Sequence, residues 1–178
     1  GYYSNGLAQV NTQSALVVND GALSITGCIF DNLGVNGIVL NNSQALIEDS
    51  LFVGGAVKIK INSANQQVIV RDNIFQGGFA TSAGVDIVAG QPQILNNQFD
   101  GMGIVANLFG GAPIFSGNTS QNIQGYNGIL VSDHARFGEN ITWQNNFPYI
   151  LEVNAGDQMR VLAGAILTIE PGTVIKTA

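Results

Sequence analysis

Charge is scarce in this chain. Lys and Arg number six and Asp and Glu twelve, so charged residues make up 10% of the 178, where a soluble domain ordinarily carries roughly 25%. The six cations are scattered, with only Lys58 and Lys60 close together, and the net charge is −6. Without a basic stripe the chain is not built for nucleic acid, and its sign disfavours an anionic membrane surface. A single cysteine, Cys28, excludes an intramolecular disulfide and a Cys-based zinc site. No apolar run approaches the ~18 residues of a membrane span. No secretory leader is visible before Gly1-Tyr2-Tyr3, so the chain reads as a mature, processed or excised piece.

What is present is 46% apolar residues, 23 glycines and a polar share made mostly of Asn, Gln and Ser. That composition suits turns that need positive φ and side chains that hydrogen-bond in columns. It is distributed periodically. A six-residue pattern (apolar, two small or polar, a Cys/Ser/Asn place, any residue, Phe) runs from Ile25 to Phe30, Ile47 to Phe52, Val70 to Phe75 and Ile94 to Phe99. It fades through Phe115 to Ser120 and Phe137 to Thr142. The fourth place is Cys28, Ser50, Asn73, Asn97, Asn118 and Asn140, at spacings of 22, 23, 24, 21 and 22. A period of this length means one supersecondary unit stacked on itself.

A second apolar segment precedes each repeat: 15–18, 37–40, 57–61, 85–88, 103–106, 128–131 and 149–153. These are short, β-branched and often alternating, hence strands. Turn residues such as Asn19-Asp20-Gly21 and Gln76-Gly77-Gly78 separate them. An antiparallel sandwich would not require a fixed register of about 22 residues, whereas a winding coil does, since each coil must set like over like at the inter-strand spacing of about 4.8 Å. Phe30, Phe52, Phe75 and Phe99 then stack inside. The chain is expected to be all-β, a solenoid of six to seven coils in a single domain over 1–178, with 1–14 a first coil or end strand, 15–146 regular coils and 147–178 a terminal coil or inter-subunit segment.

The repeated pattern resembles the right-handed parallel β-helix superfamily, the pectate-lyase-like solenoids. The Cys28, Ser50, Asn73, Asn97, Asn118, Asn140 series resembles that family's internal ladder of polar side chains, which implies that these residues are buried, Asn118 and Asn140 among them. The resemblance covers about residues 15–146. It implies the fold and not the task, because this fold carries lyases, hydrolases, adhesins and structural proteins alike. Residues 163–176 resemble a block-opening motif of large secreted or surface β-helix proteins of bacteria and archaea. Joining Thr177-Ala178 to Gly1-Tyr2 reads as uninterrupted β-helix. Three readings follow: one block of a tandem array, a subunit whose C-terminal strands complete the next subunit's coil, or the solenoid's own last coil. Under the first two, Ile166, Leu167, Thr168, Ile169, Val174 and Ile175 are the assembly residues.

Catalytic constellations are thin. Asp49 and Asp72 hold the same place on adjacent coils and form the one candidate for calcium, an oxygen-seeking cation; no other cofactor is implied. Solvated turn carboxylates partly neutralised by Arg71, with Glu48 and Arg71 as a surface pair, is the plainer reading. A lyase or hydrolase would need Asp49, Asp72 and a base such as Arg71 or Lys58 exposed in one groove, and the short turns leave little material for groove walls. Asp133-His134-Ala135-Arg136 holds the one histidine, in a turn between strands. Tyr2, Tyr3, Tyr126, Trp143 and Tyr149 are candidates for a sugar-stacking face, although Trp143 falls near an internal Phe place. Asn41 is the best placed of three N-x-Ser/Thr sequences for glycosylation. These features favour a non-enzymatic, extracellular or cell-surface structural or adhesive module that self-associates end to end. A carbohydrate-binding module, or a relative of polysaccharide lyases and hydrolases, is the alternative.

Overall fold

A computed structural model describes residues 14–153 and 158–178. The chain winds as a right-handed parallel β-helix of about seven turns, with no helix among the described residues. The first described coil is β1 (Ser14–Asn19), β2 (Ala22–Thr26) and β3 (Ile29–Asp31). The second is β4 (Asn36–Asn41), β5 (Gln44–Glu48) and β6 (Leu51–Val53), and the third β7 (Val57–Asn62), β8 (Val68–Arg71) and β9 (Ile74–Gln76). The fourth is β10 (Ala83–Ala89), β11 (Gln93–Leu95) and β12 (Gln98–Asp100), and the fifth β13 (Ile104–Gly110), β14 (Ile114–Ser116) and β15 (Thr119–Gln121). Then follow β16 (Tyr126–Phe137), β17 (Ile141–Trp143), β18 (Tyr149–Leu151), β19 (Arg160–Val161), β20 (Leu167–Ile169) and β21 (Ile175–Thr177).

Every described pairing is parallel. One long sheet takes the first strand of each coil, in the order β1-β4-β7-β10-β13-β16-β18-β21, with β19 beside β16. The second strands (β2, β5, β8, β11, β14) and the third strands (β3, β6, β9, β12, β15) make two further sheets. Between second and third strands the chain turns through one left-handed residue in each coil: Gly27, Asp49, Asp72, Asn96 and Gly117, at φ 51–66°. Gly, Asn and Asp are the residues that tolerate that conformation, which accounts for what stands there.

The core is a set of columns. Leu16, Ile38, Ile59, Val85, Ala106, Ile129, Tyr149 and Ile175 follow one another up the long sheet. Phe30, Phe52, Phe75 and Phe99 form a second column, with ring centroids 4.8, 5.0 and 5.0 Å apart and planes within 12° of parallel. The strand spacing sets the ring spacing, so near-parallel stacking follows from register.

The stack changes after the fifth coil. The second and third sheets end at β14 and β15, and β17 pairs only with β20 in a sheet of its own. The cause is β16, twelve residues long, which takes in the stretch where a turn was expected. Its register against β13 slips between Leu108↔Val131 and Gly110↔Arg136, so that four residues of β16 stand against one of β13. Two side-chain amides satisfy the edge of β14: the Phe115 amide donates to Gln144 Oε1 at 2.9 Å, and Asn146 Nδ2 donates to the Phe115 carbonyl.

Phe75 is fully buried between two rings, whereas Phe30 is half-buried with one. Phe75→Ala is expected to destabilise by about 3–5 kcal/mol and Phe30→Ala by clearly less. Urea unfolding of both variants checks the order; equal losses would mean that the column is not a unit of stability.

Candidate functional site

The polar series at the second turn runs as a chain of hydrogen bonds. The Cys28 amide donates to Ser50 Oγ (3.1 Å), the Ser50 amide to Asn73 Oδ1 (3.0 Å), the Asn73 amide to Asn97 Oδ1 (3.0 Å) and the Asn97 amide to Asn118 Oδ1 (2.9 Å). Each Asn also donates through Nδ2 to a carbonyl of the preceding coil: Asn73 to Ile47, Asn97 to Val70 and Asn118 to Ile94. Ser50, Asn73 and Asn97 are buried and Asn118 partly so. Two members depart from the expectation. Cys28 is exposed, because a ladder residue is covered by the coil before it and no described coil precedes this one. Asn140 is exposed as well and lies outside the series. Its Oδ1 accepts from the Ile166 amide at 2.9 Å, since the β16 slip has carried it away from Asn118. A second ladder, of hydroxyls, was not legible as such: the Gly21 amide donates to Ser43 Oγ and the Ser43 amide to Ser63 Oγ. Its signal was the serine recurring after Asn in the turn runs at 41–43 and 62–63. Asn41 bonds through its side-chain amide to Asn19 (2.9 Å) and Asn62 (3.5 Å).

Asp49 and Asp72 occupy equivalent turn positions on adjacent coils. Arg71 reaches Glu48 at 2.5 Å and Asp72 at 3.9 Å. The Arg71 hydrogen bond holds the Glu48 carboxyl below its ordinary range. The left-handed turn explains the two aspartates without a cation. Among the described residues, no cluster of three or more His, Cys, Asp or Glu is placed to hold a metal.

Lys58 does not join them. It is fully buried, and its ammonium donates to the carbonyls of Gly55 (3.2 Å) and Gly77 (3.3 Å). No carboxylate among the described residues lies within ion-pair distance of it. Burial pushes its pKa down from 10.5 to about 8. Asp49, Asp72 and Arg71 therefore share an exposed turn while Lys58 is sealed away, so of the two candidate bases Arg71 alone stands with the aspartates, and it is bonded to Glu48.

Asp133, His134 and Arg136 lie within β16 and not in a turn. The side chains alternate: Asp133 is buried and His134 exposed, with His134 Nδ1 3.4 Å from Asp133 Oδ1. The aromatic face is not assembled. Trp143 and Tyr149 are buried and stacked on each other at 4.5 Å, and the Tyr149 hydroxyl accepts from the Gln144 amide. Burial pushes the Tyr149 phenol up to about 12. Tyr2 and Tyr3 lie outside the described residues, which leaves Tyr126 exposed.

Residues 163–178 wind onto the chain's own coils. Leu167, Thr168 and Ile169 pair with Ile141, Thr142 and Trp143, and Ile175 pairs with Tyr149. Ile166, Ile169, Val174 and Ile175 remain exposed.

A groove exists where the short turns gave no reason to expect one. The step from Ile59 to Val85 along the first column is 26 residues, against 21 for the coils on either side. The extra residues make a loop at 77–82. Gly103 and Gly125 let it settle on the sheet, since a Cβ on either would stand 2.3–2.5 Å from the Ala80 carbonyl oxygen. The result is a hollow of about 380 Å³ on the outer face of the long sheet, with Thr81, Asn107, Phe109, Tyr126, Leu130 and Glu152 around it. Beneath it Asn107 Nδ2 donates to the buried Asp86 carboxylate at 2.7 Å, and Asn107 Oδ1 is buried without a partner. Burial raises the Asp86 pKa, against the hydrogen bond from Asn107 and the nearby charge of Lys60.

Two outcomes follow. Asn73→Leu strands the Ser50 amide and the Ile47 carbonyl, and should cost about 2–5 kcal/mol in denaturant unfolding; an unchanged midpoint would mean that the ladder bonds do not contribute. Lys58 holds fewer protons folded than unfolded between about pH 8 and 10.5, so its share of stability rises with pH across that window. Above pH 10 the raised Tyr149 phenol works in the opposite sense. Lys58→Met should therefore flatten the rise in unfolding midpoint between pH 7 and 10, and a parallel rise in both proteins would refute the assignment.

The family model described as right handed beta helix region matches residues 8–163. No curated protein and no solved structure matches the chain.

Proposed function

We propose that this chain, which belongs to the right-handed β-helix family, serves as a non-enzymatic, extracellular structural or adhesive module that works as one unit over residues 1–178 and assembles end to end. The observation that carries this reading is the face of the last coil. Ile166, Ile169, Val174 and Ile175 are 61%, 45%, 49% and 43% exposed there. β20 and β21 each use one edge for pairing, among the described strands. A row of unpaired backbone groups flanked by aliphatic side chains accepts another strand.

The partner in this reading is a second copy. Ile175 is the tail of the same column that has Leu16 at its head, and Leu16, Val17 and Ile29 are exposed on the first described coil. A copy set on the last coil would continue both the strand pairing and the apolar columns. Such head-to-tail contacts use two different surfaces and do not close, so they build filaments. The low charge removes one deterrent to that contact. The alternative, a carbohydrate-binding module or a polysaccharide lyase or hydrolase relative, has less support, since Trp143 and Tyr149 are interior, Lys58 is enclosed, and Arg71, the one candidate base beside Asp72, is engaged by Glu48. A screen of uronic-acid polymers with and without calcium tests it directly.

Sedimentation velocity across a concentration series should reveal self-association that the double variant Ile169→Lys, Ile175→Lys weakens by about tenfold or more. Removing residues 163–178 is the less clean test, because β20 pairs with β17 and its loss would open the edge beside Trp143. A native protein that stays monomeric at every concentration, or a variant that associates as well as the native, would overturn the reading.

A further inference from the structure

The groove on the long sheet has a chemistry of its own, independent of any association at the ends. Two aromatic side chains border it with part of their surface free, Tyr126 at 45% and Phe109 at 38% exposure. Apolar groups, Ile104 and Leu130 among them, provide most of the remaining surface. One group charged at neutral pH lines the hollow, the Glu152 carboxylate, and no described residue makes a hydrogen bond or ion pair with it. The other polar lining groups are the hydroxyls of Thr81, Tyr126 and Ser132 and the amide of Asn107, whose nitrogen is already committed to Asp86. No lysine or arginine lines the site; Lys60 lies one coil away, beside Asp86.

We infer that this groove binds an organic cation of the alkylated ammonium class, the chemistry of a choline head. The argument is by elimination among ligand types that a hollow of about 380 Å³ admits. An anion would meet Glu152 with no cation to offset it. A neutral apolar ligand would strip water from Glu152 and leave that charge unpaired, which is costly. A neutral sugar would satisfy the acceptors but would set most of its hydroxyls against Ile104, Leu130 and the Ala80 methyl. An alkylated ammonium carries its charge under an apolar coat. Its methyl groups suit the aliphatic floor, its charge is attracted to the electron-rich faces of Tyr126 and Phe109, and Glu152 supplies the counter-charge. The net charge of −6 adds a long-range pull of the same sign.

The test is titration calorimetry of the full chain at low ionic strength with choline chloride, with the neutral carbon isostere of choline, and with glucose. Choline should bind about tenfold or more tighter than its isostere, and added salt should weaken it. Glu152→Gln and Tyr126→Leu should each weaken choline on the order of tenfold. The first of these is near-isosteric, so the test stands even if the second perturbs the fold. Equal binding of choline and its isostere, binding of glucose in preference to choline, no heat from any of the three, or an undiminished affinity in Glu152→Gln would each overturn the inference. None of these outcomes bears on self-association, which is read by sedimentation.

Discussion

The structure depends on in-register parallel pairing between successive coils. A parallel strand can bond to the one below only if the chain returns to the same place after each circuit, and the return fixes which side chains face each other. That requirement places phenylalanine over phenylalanine and Asn73 over Asn97. It also creates a difficulty at each turn, where backbone groups leave the sheets. The Ser and Asn side chains resolve it by bonding the amide of the equivalent residue one coil earlier. Core and ladder are thus two consequences of one geometric rule, and losing register would damage both.

The slip in β16 shows what the rule permits. With four residues of β16 against one of β13, the second and third sheets could not continue. Gln144 and Asn146 bond the edge of β14, while Trp143 and Tyr149 stack to fill the interior beyond it. The long sheet runs through this region, so the molecule remains one winding stack with a change of cross-section partway along. The same freedom in coil length, used at 77–82 and not at the core columns, raises a wall beside an otherwise flat sheet face.

The columns were legible because they repeat: Ile25, Ile47, Val70 and Ile94 announce a row, and so do the four phenylalanines. The features that are not legible in the sequence lack repetition. Cys28 shares its place in the pattern with Ser50, but whether such a residue is covered depends on the coil before it. Asn140 matches the spacing of 22 yet sits beyond the slip, where spacing no longer implies stacking. Lys58 lies in a strand close to Lys60 and is by sequence a candidate base that catalysis would need exposed, while the structure encloses it against two turn carbonyls. The groove draws on residues from the loop at 77–82, from β13 and β16, and on Glu152 just past β18, and no local pattern links them.

Period, composition and turn chemistry determined the winding: a repeat near 22 residues, β-branched segments and left-handed Asn, Asp and Gly leave a parallel solenoid as the arrangement that satisfies all three. Those are local properties repeated many times, and repetition makes them readable. Which residues are enclosed, where the stack breaks, and what the outer face of the long sheet gathers around Glu152 were decided only in three dimensions. Each depends on the lengths of several turns acting together, and burial and electrostatics are properties of the neighbours that those turns bring in.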